Sequence, residues 1–194
     1  MGQEFELKFS ADEAQQAAIA GEYGPWQRID METTYFDTAD GALAARHMTL
    51  RRRLENGRSV CTVKTPRPDG ARGEWECNCD KIEDAIAVLC RLGAPKELLS
   101  LTRAGLIEVC GARFERRCCR VVLEDAEVEL ALDSGVLLGG GREIPLREVE
   151  VELKSGNRGT VIFFGVGTAR HYGLAPQPYS KFHRALALAQ EEQL

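Results

Sequence analysis

A chain of 194 residues, 44% hydrophobic and 28% charged, has the length and composition of one globular domain rather than of a disordered segment. Its net charge of -5 excludes a nucleic-acid binder working through bulk attraction, which needs a basic surface. No apolar run approaches the roughly 20 residues of a membrane span and no apolar signal region opens the chain, so a cytoplasmic protein is expected, without membrane or nucleic-acid partners, as a monomer or homodimer.

The opening MGQEFELKFS alternates at a strand's period of two, with Glu4, Glu6 and Lys8 on one side and Phe5, Leu7 and Phe9 on the other. Ser10 with Glu13 has the pattern of a capping box and starts an Ala/Gln-rich helix to about Ala20. TTYFDT at 33–38 reads as a short strand ended by Ala39-Asp40-Gly41. In MTLRRRLENGRSVCTVKTP, two strands meet at Asn56-Gly57, the strongest short hairpin signal, and RGEWECNC supplies a third beyond the turn PRPDGA.

Asp80 with Glu83 predicts the cap of a helix carrying Ile82, Ile86, Leu89 and Leu92 on one side, which Gly93 stops, and Pro95 opens a short helix through LLSLTR. Strands at about 113–123, 126–133 and 146–154 follow, separated by Glu124-Asp125 and by the glycine-rich LLGGGRE. A helix from about Asn157 to Tyr172 and a capped last helix in SKFHRALALAQ complete a chain without repeats, low-complexity tracts or linkers. The seven cysteines form no CxxC, and neither Cys77-Asn-Cys79 nor Cys118-Cys119 has zinc-site spacing, so reduced thiols are expected.

The same parity sorts charge on the later strands. Arg51 and Arg53 oppose Leu50, Arg52 and Leu54; Thr62 and Lys64 oppose Cys61 and Val63; Arg72, Glu74 and Glu76 oppose Trp75 and Cys77. Glu127, Glu129 and Asp133 oppose Val128, Leu130 and Leu132, while Glu148, Glu150 and Glu152 oppose Val149, Val151 and Leu153. An open sheet with one wet face accounts for such alternation, but it predicts mixed charges. Here acids dominate strands at both ends of the chain and basic residues concentrate between 46 and 65. Like charges persist only in water or around a guest of opposite sign, and a dry interior is excluded by desolvation. A barrel of about eight strands, wide enough for a solvated lumen, turns every charged face inward and leaves the apolar exterior to helices. Carboxylates without organised Cys or His suit Mg²⁺ or Mn²⁺, and paired arginines suit phosphate oxygens.

These residues resemble a known family. Glu4-x-Glu6-x-Lys8, YFDT, LRRRLENG with Arg51 and Arg53, TVK ending at Lys64, RGEWE, ALDSG around Asp133, EVEVELKSG with Glu150 and Glu152, and a late Ser-Lys at Lys181 are similar, in order, to the CYTH superfamily, the triphosphate tunnel metalloenzymes. The resemblance implies an α+β fold, a closed antiparallel eight-stranded β-barrel with a charged lumen and helices outside, built as a single domain over 1–194. Within the superfamily the bacterial inorganic triphosphatases are most similar, which implies metal-dependent hydrolysis of tripolyphosphate, a small-molecule substrate, in a free-standing form or a fragment of a longer protein. Thiamine triphosphatases, class IV adenylyl cyclases and a non-catalytic polyphosphate-binding module are the alternatives.

By the same resemblance Glu4, Glu6, Glu150 and Glu152 hold metals, with Glu76 and Asp133 as helpers. Lys8, Arg51, Arg53, Lys64, Arg116 and Lys181 grip phosphates, Arg72 and Arg184 are lesser candidates, and Lys8, Glu4 and Glu6 are the catalytic set. Glu127, Glu129 and Glu148 point inward by parity near strand ends, where solvent competes with metal. Arg52 is read as a surface arginine over a helix, Tyr35 and Trp75 as packing residues, and His47, His171 and His183 form no constellation.

Overall fold

The computed structural model describes residues 2–3, 5–66 and 72–190; Glu4 and most of the expected PRPDGA turn lie outside these, and of Arg72 only the backbone is described. The elements run β1 (Gly2–Gln3), β2 (Glu6–Ser10), α1 (Glu13–Glu22), β3 (Gln27–Asp37), β4 (Thr49–Glu55), β5 (Arg58–Pro66), β6 (Arg72–Asn78), α2 (Ile82–Arg91), α3 (Glu97–Leu101), β7 (Ile107–Val122), β8 (Ala126–Gly139), β9 (Arg142–Gly156), α4 (Arg158–Tyr172), β10 (Ala175–Pro176) and α5 (Lys181–Gln190). Among the described residues no helix is long and apolar enough to cross a membrane, and the seven cysteines are free thiols.

The architecture is α+β: the described residues form a single antiparallel sheet of ten ladder strands in the order β1-β6-β5-β4-β3-β7-β8-β9-β2-β10. The expected ring of eight is corrected in two respects. The opening strand is divided: Gly2 and Gln3 pair with β6, while Glu6–Ser10 pair with β9, and the short β10 adds a further ladder beyond β2. Among the described residues the ladder therefore has two edges. Both lie on or beside one stretch of chain, because the Phe5 carbonyl already accepts from Leu153 N at 2.9 Å on the β9 side.

Local chemistry explains the turns. The β4–β5 hairpin closes at Asn56 and Gly57, both with positive φ, at 50° and 83°. LLGGGRE separates β8 from β9 as expected, as a tight turn with Gly140 and Gly141 at φ 56° and 70°, and both strands run further toward it than expected. The first helix is capped by Asp12, whose side chain accepts from Gln15 N while the Gln15 side chain receives Asp12 N. Ser10 is instead the last residue of β2, so the capping box sits two residues later than the Ser10–Glu13 pattern implied. At α2 the position before the helix is Lys81 and no side chain caps it, which displaces the expected Asp80 cap.

Apolar residues of the strands meet the helices in three groups. Leu50, Cys61 and Val63 pack against Ile82, Ile86, Leu89 and Leu98 of α2 and α3. Phe9, Leu130, Leu132, Val149 and Val151 pack against Ile19 and Val161 of α1 and α4. The third group joins Met31, Ala112, Phe114, Leu137 and Leu146 to Ala185 of α5. Since Met31 and Phe114 also line the central cavity, α5 lies on the inner face of the sheet, and the expectation that all helices cover the exterior is corrected there. The physical reason is composition: the inner face of β7, β8 and β9 is charged toward one end and apolar toward the other, and the apolar end needs a cover.

The α5 contact is close. A Cβ added at Gly139 falls 2.3 Å from the Ala185 carbonyl oxygen and 2.8 Å from Ala189 N. Both are backbone atoms, so the helix must shift. Gly139→Ala is expected to destabilise the fold by about 1–3 kcal/mol, read as a lowered urea midpoint with an unchanged slope.

Candidate active site

The inner face bounds a cavity of about 820 Å³. Strand alternation fills its wall: Glu6 and Lys8 from β2, Thr33 and Tyr35 from β3, Arg51 and Arg53 from β4, Lys64 from β5, Glu74 and Glu76 from β6, Arg116 from β7, Glu129 from β8, and Glu150 and Glu152 from β9. Among the described residues seven cationic and seven carboxylate side chains line it. The lumen thus carries no bulk charge; what distinguishes it is how the signs are separated.

β4 and β5 form a cationic wall. Arg51 is 3.8 Å and Lys64 3.4 Å from Glu74, while Arg53 is fixed by Glu55 at 2.7 Å. Burial and then the neighbouring Arg51 charge lower the Arg53 pKa from the ordinary guanidinium value. Arg51 Nε and the hydroxyl of its cross-strand neighbour Thr62 are buried without a hydrogen-bond partner among the described residues. Cations gathered so closely, with donors left over, form a cradle for a multivalent anion.

β2, β9 and β8 form the acidic wall. Register sets Glu6 opposite Glu152, and Glu152 opposite Glu129, a row of like charges across three strands. Such a row is unfavourable without a cation. Lysines supply it: Lys8 reaches Glu6 at 3.0 Å, and Lys154 reaches Glu152 at 2.9 Å and Glu129 at 3.6 Å. Burial opposes the Lys154 charge, but Glu152 and Glu129 prevail and raise its pKa. Oxygen donors only, adjacent across a ladder and facing the cavity, fit a hard divalent cation such as Mg²⁺ or Mn²⁺.

A second acidic group is built differently. Asp133, Glu148 and Glu150 are buried, and their carboxylate oxygens lie within 4.8 Å of one another, the spacing of metal ligands. Yet every one of these oxygens already accepts from a cationic side chain. Arg116 makes a fork to Asp133 at 2.8 and 2.7 Å and also reaches Glu150. Lys181 reaches Asp133 at 2.8 Å, Glu150 at 2.7 Å and Glu148, and Arg184 takes the remaining Glu148 oxygen. Burial works against the Lys181 ammonium, but Glu150, Asp133 and Glu148 outweigh it and hold its pKa above the ordinary lysine value. Burial likewise opposes ionised Glu150, but Lys181 and Arg116 carry its pKa well below the carboxylate range. Three acids and three bases therefore close a neutral cluster at the foot of the cavity, with the first turn of α5 as its lid.

The expected site residues are distributed as follows. Glu6, Lys8, Arg51, Arg53, Lys64, Glu76, Arg116, Glu150, Glu152 and Lys181 all line the cavity. Asp133 and Arg184 belong to the ion cluster beneath it. Glu4 and the Arg72 side chain lie outside the described residues. Arg52 is on the opposite face, donating to the Asp80 carbonyl at 3.2 Å. Glu127 pairs with the exposed Arg120, whereas Glu129 faces the lumen. Glu55 and Lys154 line the cavity without having been singled out, although strand parity extended by one step in β4 and β9 finds both. Trp75 packs on the core beneath α2 and also reaches the lumen with Leu92. That pair lies beyond parity, because Trp75 alternates with Glu74 and Glu76.

The model of the CYTH domain family matches residues 2–185. An inorganic triphosphatase of Haemophilus influenzae is 31% identical over 133 residues, which are 68% of this chain and 38% of that protein. The chain thus matches well under half the length of this relative. Among solved structures, a Pyrococcus horikoshii protein aligns over 95% of this chain and 98% of its own, with a TM-score of 0.65 and 21% identity. A Hippeastrum protein with a dominant triphosphatase activity covers 100% and 97%, with a TM-score of 0.62 and 19% identity. At those identities the structural likeness speaks for the fold.

Proposed function

The chain belongs to the CYTH domain family, and from that premise we propose that it is a cytoplasmic triphosphatase that hydrolyses inorganic tripolyphosphate to pyrophosphate and phosphate with Mg²⁺ or Mn²⁺, inside the charged cavity bounded by the inner face of the sheet. The observation that carries this reading is the division of one cavity into a cationic wall at Arg51, Arg53 and Lys64 and an acidic wall at Glu6, Glu129 and Glu152. A polyanion entering with its metal ions satisfies both. The inorganic triphosphatase relative supports the same reaction class.

In this reading Arg51, Arg53, Lys64 and Arg116 hold phosphate oxygens and neutralise charge that builds on the leaving group. Glu6, Glu152 and Glu129, with Glu4 and Glu150 as further candidates, hold the metal, which supplies water activation and charge neutralisation when bound. Water attacks the terminal phosphorus, the bridging P–O bond breaks, and pyrophosphate departs. Lys8, which donates to Glu6 at 3.0 Å and lines the cavity, is the candidate to assist proton transfer to or from the attacking water.

A second reading, an organic triphosphate as substrate, is favoured by Trp75 and Leu92 in the lining, an apolar surface that could receive a base or a thiazole ring. Phosphate release from tripolyphosphate, thiamine triphosphate and ATP, each with Mg²⁺, Mn²⁺ or excess chelator, separates the readings. The expected result is fastest turnover of tripolyphosphate, abolished by chelation. Turnover of only an organic triphosphate transfers the assignment to the second reading, and tight salt-sensitive binding of all three without release makes the protein a binding module.

A further inference from the structure

Gln16 is a polar residue of α1 that is 1% exposed, and a buried carboxamide is costly unless its groups are paired. Its pairing is specific. Nε2 donates to the carbonyls of Asp133 and Glu148, each at 2.9 Å, and Oε1 accepts from Ser134 Oγ at 2.6 Å. Asp133 faces Glu148 across the β8–β9 ladder, and Ser134 faces Arg147 on the next rung. Arg147 completes the lock by donating to Glu13 at 3.1 Å. Two amide hydrogens thus serve two facing carbonyls, and the side chains of those same residues, on the lumen side, hold Arg116, Lys181 and Arg184.

We propose that Gln16 is a positioning residue of the active site: by clamping the Asp133–Glu148 rung from outside the sheet, it sets the carboxylate fork that aims Arg116 at the polyphosphate. The proposal rests on the triphosphatase reading. Nothing in the α1 sequence marks Gln16 apart from Gln15, which caps the helix instead; only burial distinguishes them. A guanidinium held by two bonds to one carboxylate follows that carboxylate, so a displacement of the rung is passed to the phosphate contact.

Gln16→Leu keeps approximate volume and removes both donors. The expected result is a rise of about 10- to 100-fold in KM for tripolyphosphate, and in its Kd measured by calorimetry with chelator present, with a smaller change in kcat. In an Arg116→Lys background the same substitution is expected to add little, because the group being aimed has lost its fork. Should Gln16→Leu fail to fold, Ser134→Ala carries the test with a rise of several-fold: it removes the shorter of the two hydrogen bonds to Oε1, leaving Arg147 at 3.5 Å, together with the Arg147 contact to the Ser134 hydroxyl. A folded Gln16→Leu with KM and Kd within about twofold of wild type, or effects fully additive with Arg116→Lys, overturns the positioning role while leaving the triphosphatase standing. A wild-type protein that neither binds nor cleaves tripolyphosphate overturns both.

Discussion

Lys181→Met is expected to cost the fold about 3–5 kcal/mol and to reverse the direction in which its stability changes with pH. The lysine ammonium is the shared donor to Asp133, Glu148 and Glu150, all buried. Methionine fills much of its volume, so packing survives, but among the described residues three carboxylates are then held by Arg116 and Arg184 alone. In the wild type, Glu150 has a depressed pKa and contributes stability that is complete above its unfolded value of about 4.3 and lost as pH falls through the folded value. Lys181 has a raised pKa, and its contribution is complete below about 10.4 and lost only as pH rises through the folded value. Wild-type stability is therefore flat through neutral pH and declines in acid. In the variant the buried cluster holds three carboxylates against two guanidinium groups, and the excess negative charge makes it bind a proton more readily folded than unfolded. The stability of the variant therefore grows as pH falls from neutral toward the unfolded carboxylate value of about 4.3. Urea unfolding at several pH values tests this; a variant that loses stability in parallel with the wild type on acidification removes the ammonium from the centre of the cluster.

How much of this was legible in the sequence depends on the range of the information. Strand parity is local, and it correctly set Glu6 with Lys8, Arg51 with Arg53, and Glu150 with Glu152 on the lumen side. Asn56-Gly57 is local too, and the hairpin closes there. Strand ends were less legible. β3 begins at Gln27 rather than 33, its first six residues QRIDME having no β-branched residues at their polar positions to mark them as strand, and β8 and β9 run up to the glycine turn between them. Partner choice was not legible at all. That Lys181 and Arg184 close on Asp133 and Glu148 follows from the seating of α5 on the inner face, and that seating depends on Leu137, Leu146 and Gly139 in strands far away in the chain. The same holds for Gln16, whose helix is otherwise alanine-rich and unremarkable in pattern.

Arg51→Met is expected to leave stability unchanged or slightly raised while lowering kcat/KM for tripolyphosphate by about 10²- to 10³-fold. Among the described residues Arg51 contributes little to holding the fold of the free protein: it lies 3.8 Å from the Glu74 carboxylate, which also has Lys64 at 3.4 Å, and its Nε has no hydrogen-bond partner. It also opposes Arg53, whose pKa is lowered first by burial and then by the Arg51 charge. Removing Arg51 relieves that repulsion and orphans no carboxylate. A structural arginine behaves in the opposite way, as Arg116 would, since its loss uncovers both Asp133 and Glu150. Positive charge maintained at a cost to the fold is accounted for by an anion that arrives later. Melting temperatures with and without tripolyphosphate make the contrast visible: the wild type gains stability on adding the ligand, and Arg51→Met loses most of that gain. If Arg51→Met unfolds more readily than wild type in the absence of ligand and still binds tripolyphosphate normally, then the β4 wall serves the sheet and the phosphates are held elsewhere.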